Sequence, residues 1–185
     1  PRPFRLFRPL LAGATARDRM LAVAGSALGV ALTALICAQA PGAGDGLPFI
    51  VAPMGASAVL VFAVPASPLA QPWPVIGGNT LSALVGVGVA EVIADPALAA
   101  GLAVGLAIAV MSLTRSLHPP GGAAALTAVV GGAAVQEAGF VFALSPVLLN
   151  AAALAAAARL FHKVSGHAYP HRPAKPAPLP AAADF

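Results

Sequence analysis

The chain has 185 residues, 59% of them apolar and only 9% charged, with a net charge of +4. Soluble domains carry roughly 25% charged residues, and disordered chains combine low hydrophobicity with high charge. Composition therefore excludes both and implies an integral membrane protein.

Residues 1–19 are basic, and the apolar run behind them is too long for a signal-peptide core, so it is read as a retained first span. About 20 residues at ~1.5 Å each cross a hydrocarbon core of roughly 30 Å. The first run that meets this is Met20 to Ala40. It holds Cys37, the single cysteine, which has no intramolecular disulfide partner. A second run, Leu47 to Val64, is interrupted at Pro53, and a third extends from Thr80 to about Ala94. The fourth, beginning after Asp95-Pro96, ends at Thr114. Then comes "SLHPPGGAAAL" (116–126), a poor helix interior that opens a fifth segment of about half normal length. A sixth run, Phe140 to about Leu160, leads into a proline-rich tail, 162–185. The expected class is an all-α membrane protein of about six segments.

Charge placement supports that count. If segments two and five both cross, Arg2, Arg5, Arg8, Arg17, Arg19, Arg115, Arg159, Lys163, Arg172 and Lys175 share one side. Asp45, Glu91, Asp95 and Glu137 share the other. The positive-inside tendency then puts both termini in the cytoplasm, as expected for a bacterial inner-membrane protein. A four-span alternative, with segments two and five re-entrant, mixes Asp45 and Glu137 with the basic side.

"PMGASAVLVFAV" from Pro53 aligns without gaps on "PGGAAALTAVVG" from Pro120. Each is the middle element of a three-segment half, about 20–94 and 96–161, so the two halves are expected to run in opposite membrane orientations. Inverted repeats with broken helices near the midplane are a transporter architecture. Proline suits the first helical turn, whose N–H groups lack intrahelical acceptors and carry roughly half a positive charge. Glycine and alanine would leave those donors open to a small anion. Gly55, Ala56 and Ser57 on one side, and Pro119, Pro120, Gly121, Gly122, Ala123 and Thr127 on the other, are the candidate binding residues.

"SLHPPGGAAAL", together with "MGASAVLVFAVPASPLAQPW" and the Gly77-Gly78-Asn79 that follows, resembles the HPP family of integral membrane proteins over roughly Pro9 to Pro170. His118, Pro119 and Pro120 carry the motif that names the family, and "SGHAYPHRP" resembles its usual close. Members in plastids and cyanobacteria are associated with nitrite transport, so the resemblance implies a small-anion transporter or channel. Some members carry soluble regulatory domains beyond this point; none is expected here.

Individual residues have competing readings. His118 is a gate or ligand donor, or else a histidine capping the last carbonyls of span four. Arg115 attracts anions or anchors at the interface. Ser57 and Thr127 complete an anion's coordination or bond to the preceding turn. Gln71 belongs to a gate or merely solvates a loop, and Asn79 belongs to a gate or caps span three. Glu91, the one acid within a span, couples protons or reaches the outer interface. His162, His167 and His171 lie in a stretch expected to be solvated, without the company a metal site needs. Gly101, Gly105 and Ala109 form a small-residue face for packing the bundle or a second subunit. No nucleotide fingerprint or oriented catalytic histidine is present, so no cofactor, nucleic-acid partner or enzymatic activity is expected. A small inorganic anion and the bilayer are the expected partners, with a homo-oligomer compatible with the pattern. The rival reading is a non-transporting assembly or sensor protein.

Overall fold

The computed structural model of the chain describes residues 15–40 and 46–171, so Arg2, Arg5, Arg8, Asp45, Arg172 and Lys175 lie outside the described residues. Among the described residues, four helices are long and apolar enough to cross a membrane: α1 (Ala16–Cys37), α3 (Pro74–Val92), α4 (Pro96–Leu113) and α7 (Phe140–Ser165). Two apolar helices are short, α2 (Pro53–Ala63, 11 residues) and α5 (Pro119–Val130, 12 residues). At ~1.5 Å per residue each spans about half of a hydrocarbon core. A six-residue α6 (Ala133–Ala138) joins α5 to α7.

Local chemistry sets these boundaries. Thr15 and Asp18 form a reciprocal capping box, which starts α1 four residues before the apolar run expected at Met20. Proline occupies the first turn of α2, α3, α4 and α5. Asp95 caps α4 by accepting from the Leu98 N–H at 2.7 Å. α3 begins with a wide π-type turn, Pro74–Gly78, and α7 carries one just after its first three residues, Ala143–Leu148. In α7 this turn also carries a kink at Ser145, beside Pro146.

Successive helices alternate in direction, as contacts at the two ends show. At one end Asp18 meets His167, Trp73 meets Thr114 and His162 meets Val61. At the other, Asn150 meets Phe49 and Val51, and Glu91 lies near Gly139. By their places on the helices, Arg17, Arg19, Arg115, Arg159 and Lys163 fall toward the first end, and Glu91, Asp95 and Glu137 at the second.

Small residues bring the helices close, which matters because lipid supplies no hydrophobic drive between them. α3 packs across α5, where a Cβ added at Gly86 would collide with the Ala125 carbonyl oxygen. The Phe62 ring from α2 seats against Gly25 and Gly29 of α1. The outer helices bury one residue per turn: Gly25, Gly29, Thr33 and Cys37 on α1, and Ala99, Ala103, Ala107 and Met111 on α4. The expectation that Gly101, Gly105 and Ala109 pack the bundle is corrected here. They lie two residues round the helix from the buried stripe and face outward.

The packed unit also extends past the boundary expected at residue 161. α7 continues to Ser165, and Tyr169 beyond it is buried.

Candidate functional site

The site grows from the break between α4 and α5. Arg115 leaves α4 with a φ of 55°, and Ser116 turns inward, its Oγ 2.7 Å from Thr114 Oγ1. His118 then precedes two prolines, which biases it to extended backbone; its φ of −145° and ψ of 108° follow. It occupies the N-cap position of α5 but makes no side-chain cap. Its ring projects away, fully buried, between α2 and the segment joining α2 to α3.

Hydrogen bonding fixes the tautomer. Nδ1 lies 2.7 Å from the Leu69 carbonyl oxygen, which only accepts, so Nδ1 carries the proton and donates. In the neutral ring Nε2 is then an acceptor, and the Ser57 hydroxyl donates to it across 2.8 Å. Ser57 Oγ in turn accepts from Asn79 Nδ2 at 3.2 Å. The same amide nitrogen donates to the Val75 carbonyl at 2.8 Å, which fixes the orientation of the Asn79 side chain. The π-type turn of α3 places Asn79 there. The sequence expectation of a cap is corrected, because Trp73 occupies the N-cap position of α3 and Asn79 lies inside continuous helix.

Asn79, Ser57 and His118 thus form one chain of donors and acceptors, all fully buried, from three separate helices. It contains no charged side chain. Asn79 Oδ1, Thr80 Oγ1 and Ser82 Oγ, all on α3, are buried without partners among the described residues. Unpaired buried polar groups are uncommon and costly, at roughly 1–3 kcal/mol each.

Backbone donors at the short helices are more fully used than the sequence suggests. In α5, Pro119 and Pro120 have no N–H, and Gly121 donates to the His118 carbonyl at 2.8 Å. In α2, Met54 and Gly55 donate to the Val51 and Ala52 carbonyls at 3.0 Å. The Val51 N–H itself is taken by Asn150 Oδ1 at 2.8 Å. The expected row of bare first-turn donors is therefore corrected. What remains at the junction is side-chain chemistry within the field of the helix starts.

The paired glycines differ. A Cβ at Gly121 would lie 2.7 Å from the Gly78 carbonyl oxygen and 2.8 Å from Ser82 Oγ. At Gly122 it would meet only Val104, at 3.9 Å. Gly55, Ala56 and Ala123 face outward. Thr127 donates back to the Ala123 carbonyl at 2.8 Å, the ordinary behaviour of a hydroxyl in a membrane helix.

Gln71 does more than solvate a loop. Its amide nitrogen binds the carbonyls of Pro65 and Ser67 at 2.9 and 2.7 Å, bracing the segment over His118. Arg115 is exposed at the same end. Glu91 lies at the far end, where a cavity of about 290 Å³ is lined by Glu91, Gln136, Gly139 and apolar residues. The structure does not bring Glu91 to the His118 network.

Three contributors escaped the sequence reading. Asn150 also donates to the Phe49 carbonyl at 3.0 Å, holding the approach to α2. As the only polar side chain between Pro146 and Arg159, it was a signal available in the sequence. His162, expected in a solvated stretch, is instead buried in α7, with Nε2 2.7 Å from the Val61 carbonyl. Tyr169 donates to the Ala70 carbonyl at 2.8 Å.

The sequence model of the family described as HPP, transmembrane region, matches residues 12–170. The chain belongs to the HPP transmembrane family. That match takes in the whole His118 network and the Tyr169 contact. Two transmembrane proteins of Dictyostelium discoideum are similar to this HPP chain, 45% identical over 108 residues and 44% over 103. These matches cover 55% and 54% of the chain but only 37% and 33% of the relatives, so the chain matches about a third of each relative's length. No solved structure matches the chain significantly.

Proposed function

We propose that this protein moves a small monovalent anion across the membrane, with nitrite the leading substrate. The observation that carries the reading is the Asn79–Ser57–His118 chain. It is a charge-neutral polar junction where two half-length helices meet inside a largely apolar bundle. Polar residues in such surroundings are costly and by default functional. The absence of a carboxylate from the junction among the described residues, and the positive end of α5 beside it, suit an anion better than a cation. Ser82, whose buried hydroxyl is unpartnered among the described residues, would supply a hydrogen-bond donor, and the half-buried Gly122 would let the substrate come close. The family's association with nitrite agrees in charge sign.

An inverted repeat underlies the reading. Exchanging α1 with α4, α2 with α5, and α3 with α7 turns the contact of α1 with α7 into that of α4 with α3. The contact of α1 with α2 likewise becomes that of α4 with α5, and all four contacts are present. The third helix of each half carries a related stretch near its start, "PVIGGN" ending at Asn79 and "PVLLN" ending at Asn150. Each asparagine serves the approach to the other half's short helix, Asn150 directly and Asn79 through Ser57. Two broken helices meeting at a repeat interface is the arrangement in which transporters bind substrate. On the positive-inside rule, the end bearing Arg17, Arg19 and Arg115 is cytoplasmic.

The complete burial of the network and the pairing of the first-turn amides also favour a second reading, a non-transporting assembly or sensor protein. Flux into proteoliposomes separates the two. The transport reading expects uptake of nitrite, measured beside nitrate, formate and chloride, with and without a pH gradient. Folded protein that passes none of the four anions would establish the second reading. Dependence on the gradient would mark a coupled carrier, and indifference to it a channel.

A further inference from the structure

The segment between α2 and α3, residues 64–73, lies over His118 like a strap. Pro65, Pro68 and Pro72 stiffen it and remove three of its own donors. Ser67 shapes its middle into a short turn, Pro68–Ala70, by accepting from the Leu69 N–H at 3.2 Å. The strap is held mainly through its carbonyls. His118 holds Leu69, and at its end Trp73 Nε1 donates to the Thr114 carbonyl at 3.0 Å.

Two further ties come from the end of the described chain. The Tyr169 hydroxyl donates to the Ala70 carbonyl at 2.8 Å, and the His171 N–H donates to Gln71 Oε1 at 2.8 Å. Gln71 is also the residue that braces the strap internally, so the second tie reaches its central brace. Burial pushes the Tyr169 phenol up to about 12, so it remains a donor throughout the physiological range.

The tail holding these groups is itself seated on the bundle. The Tyr169 ring packs on His162, with centroids 5.2 Å apart. The His167 N–H donates to the His162 carbonyl at 3.0 Å, and its Nε2 lies 3.5 Å from Asp18 Oδ1 at the start of α1. Both partners of that last contact are more than a third exposed, so it contributes little and breaks easily. The His167 end of the tail is therefore weakly held, while Tyr169 is seated in the core.

We propose that residues 167–171 form a latch that holds the 64–73 strap closed over His118, so that the position of this segment regulates access to the polar junction. This inference rests on the transport reading above for what passes through the opened junction, but the latch itself is a structural claim with its own readout.

The test uses the full chain reconstituted in liposomes, with Tyr169→Phe and Gln71→Ala as separate variants. Tyr169→Phe keeps the ring and removes one hydroxyl, and Gln71→Ala removes the other tie together with the strap's two internal bonds to the Pro65 and Ser67 carbonyls. Amide hydrogen exchange over residues 65–73 is measured alongside nitrite flux. Loss of one hydrogen bond shifts an opening equilibrium by roughly three- to tenfold. Strap exchange and flux should both rise by about that factor in Tyr169→Phe and by at least as much in Gln71→Ala, with exchange in α3 and α5 unchanged. Unchanged strap exchange in Tyr169→Phe would overturn the latch. Faster exchange with unchanged flux would overturn its control of access while leaving transport intact. If no variant and no parent protein conducts, the transport reading fails and regulation fails with it. Faster strap exchange in that case shows the tail-to-strap tie as purely structural.

Discussion

Nε2 of His118 lies 2.8 Å from Oγ of Ser57, joining residues 61 positions apart and linking the two short helices through a single hydrogen bond. Ser57→Ala removes that donor and also the acceptor used by Asn79. His118→Ala strands both Ser57 and the Leu69 carbonyl. Each variant should lose roughly 1–3 kcal/mol, the cost of leaving buried polar groups unpaired. Because the two residues share the bond, the double variant should lose less than the sum, with a coupling of about 0.5–3 kcal/mol. Thermal unfolding in detergent of the two single variants and the double gives this number. Strictly additive losses would mean that the bond does not contribute.

The glycine pair after the prolines should separate fold from function. Gly121→Ala forces a Cβ against the Gly78 carbonyl, Ser82 and Met111, and should cost about 1–3 kcal/mol as overpacking. Gly122→Ala meets only Val104 and should be neutral or stabilising by up to about 1 kcal/mol. Gly122→Leu should then fold normally and lose anion flux, because the side chain covers the approach to α5. Melting temperatures of the three variants, with flux for the last, check this. Normal flux through Gly122→Leu would remove Gly122 from the path.

How much of this was legible in the sequence follows from which physics each feature depends on. Hydrophobic run length and first-turn prolines are local, and they located all four long helices and both short ones to within several residues. Ser57, Asn79 and His118 stood out because polar side chains are rare in such a chain. Their mutual contact was not legible, since it depends on how deeply α5 sits against α2. The donors at the short helix starts were misread for a local reason. Proline supplies no N–H, and the next amides turn back onto carbonyls within the same turn. His162 and Tyr169 were hidden by their proline-rich surroundings, which suggested solvent exposure. Only the tertiary fold shows that Val61 and Ala70 present carbonyls to them.

Asn150 offers a test of the approach to α2. Its amide accepts from the Val51 N–H and donates to the Phe49 carbonyl, so one side chain satisfies two backbone groups. Asn150→Leu keeps approximate size but unpairs both, at roughly 1–3 kcal/mol for each. Asn150→Asp retains the acceptor for Val51 and sets a carboxylate oxygen against the Phe49 carbonyl. It should therefore preserve the slow exchange of the Val51 amide better than leucine does, even if overall stability falls. Residue-resolved hydrogen exchange distinguishes the two substitutions. Equal protection of Val51 in the parent and in Asn150→Leu would show that the asparagine does not hold this turn.

Tyr169 is the one tyrosine in the chain, so its ionisation is spectroscopically isolated. Burial against His162 beneath the strap moves its phenol from the ordinary value of 10.0 up to about 12, because the anionic form is desolvated. A group whose folded value is raised contributes stability that is fully present below its unfolded value and lost as pH rises through the folded one. The seating of the tail should therefore be undiminished below pH 10.0 and weaken progressively toward about 12. The tyrosinate absorbance band, followed through an alkaline titration of the full chain, should show a midpoint well above 10.0. Gln71→Ala loosens the strap above the ring without touching the phenol, and should draw the midpoint back toward the ordinary value. Trp73, the only tryptophan, sits at the end of the strap and donates to the Thr114 carbonyl, so its fluorescence should change over the same pH range. A tyrosinate midpoint near 10.0 in the parent protein would show that the ring is solvated and the tail unseated.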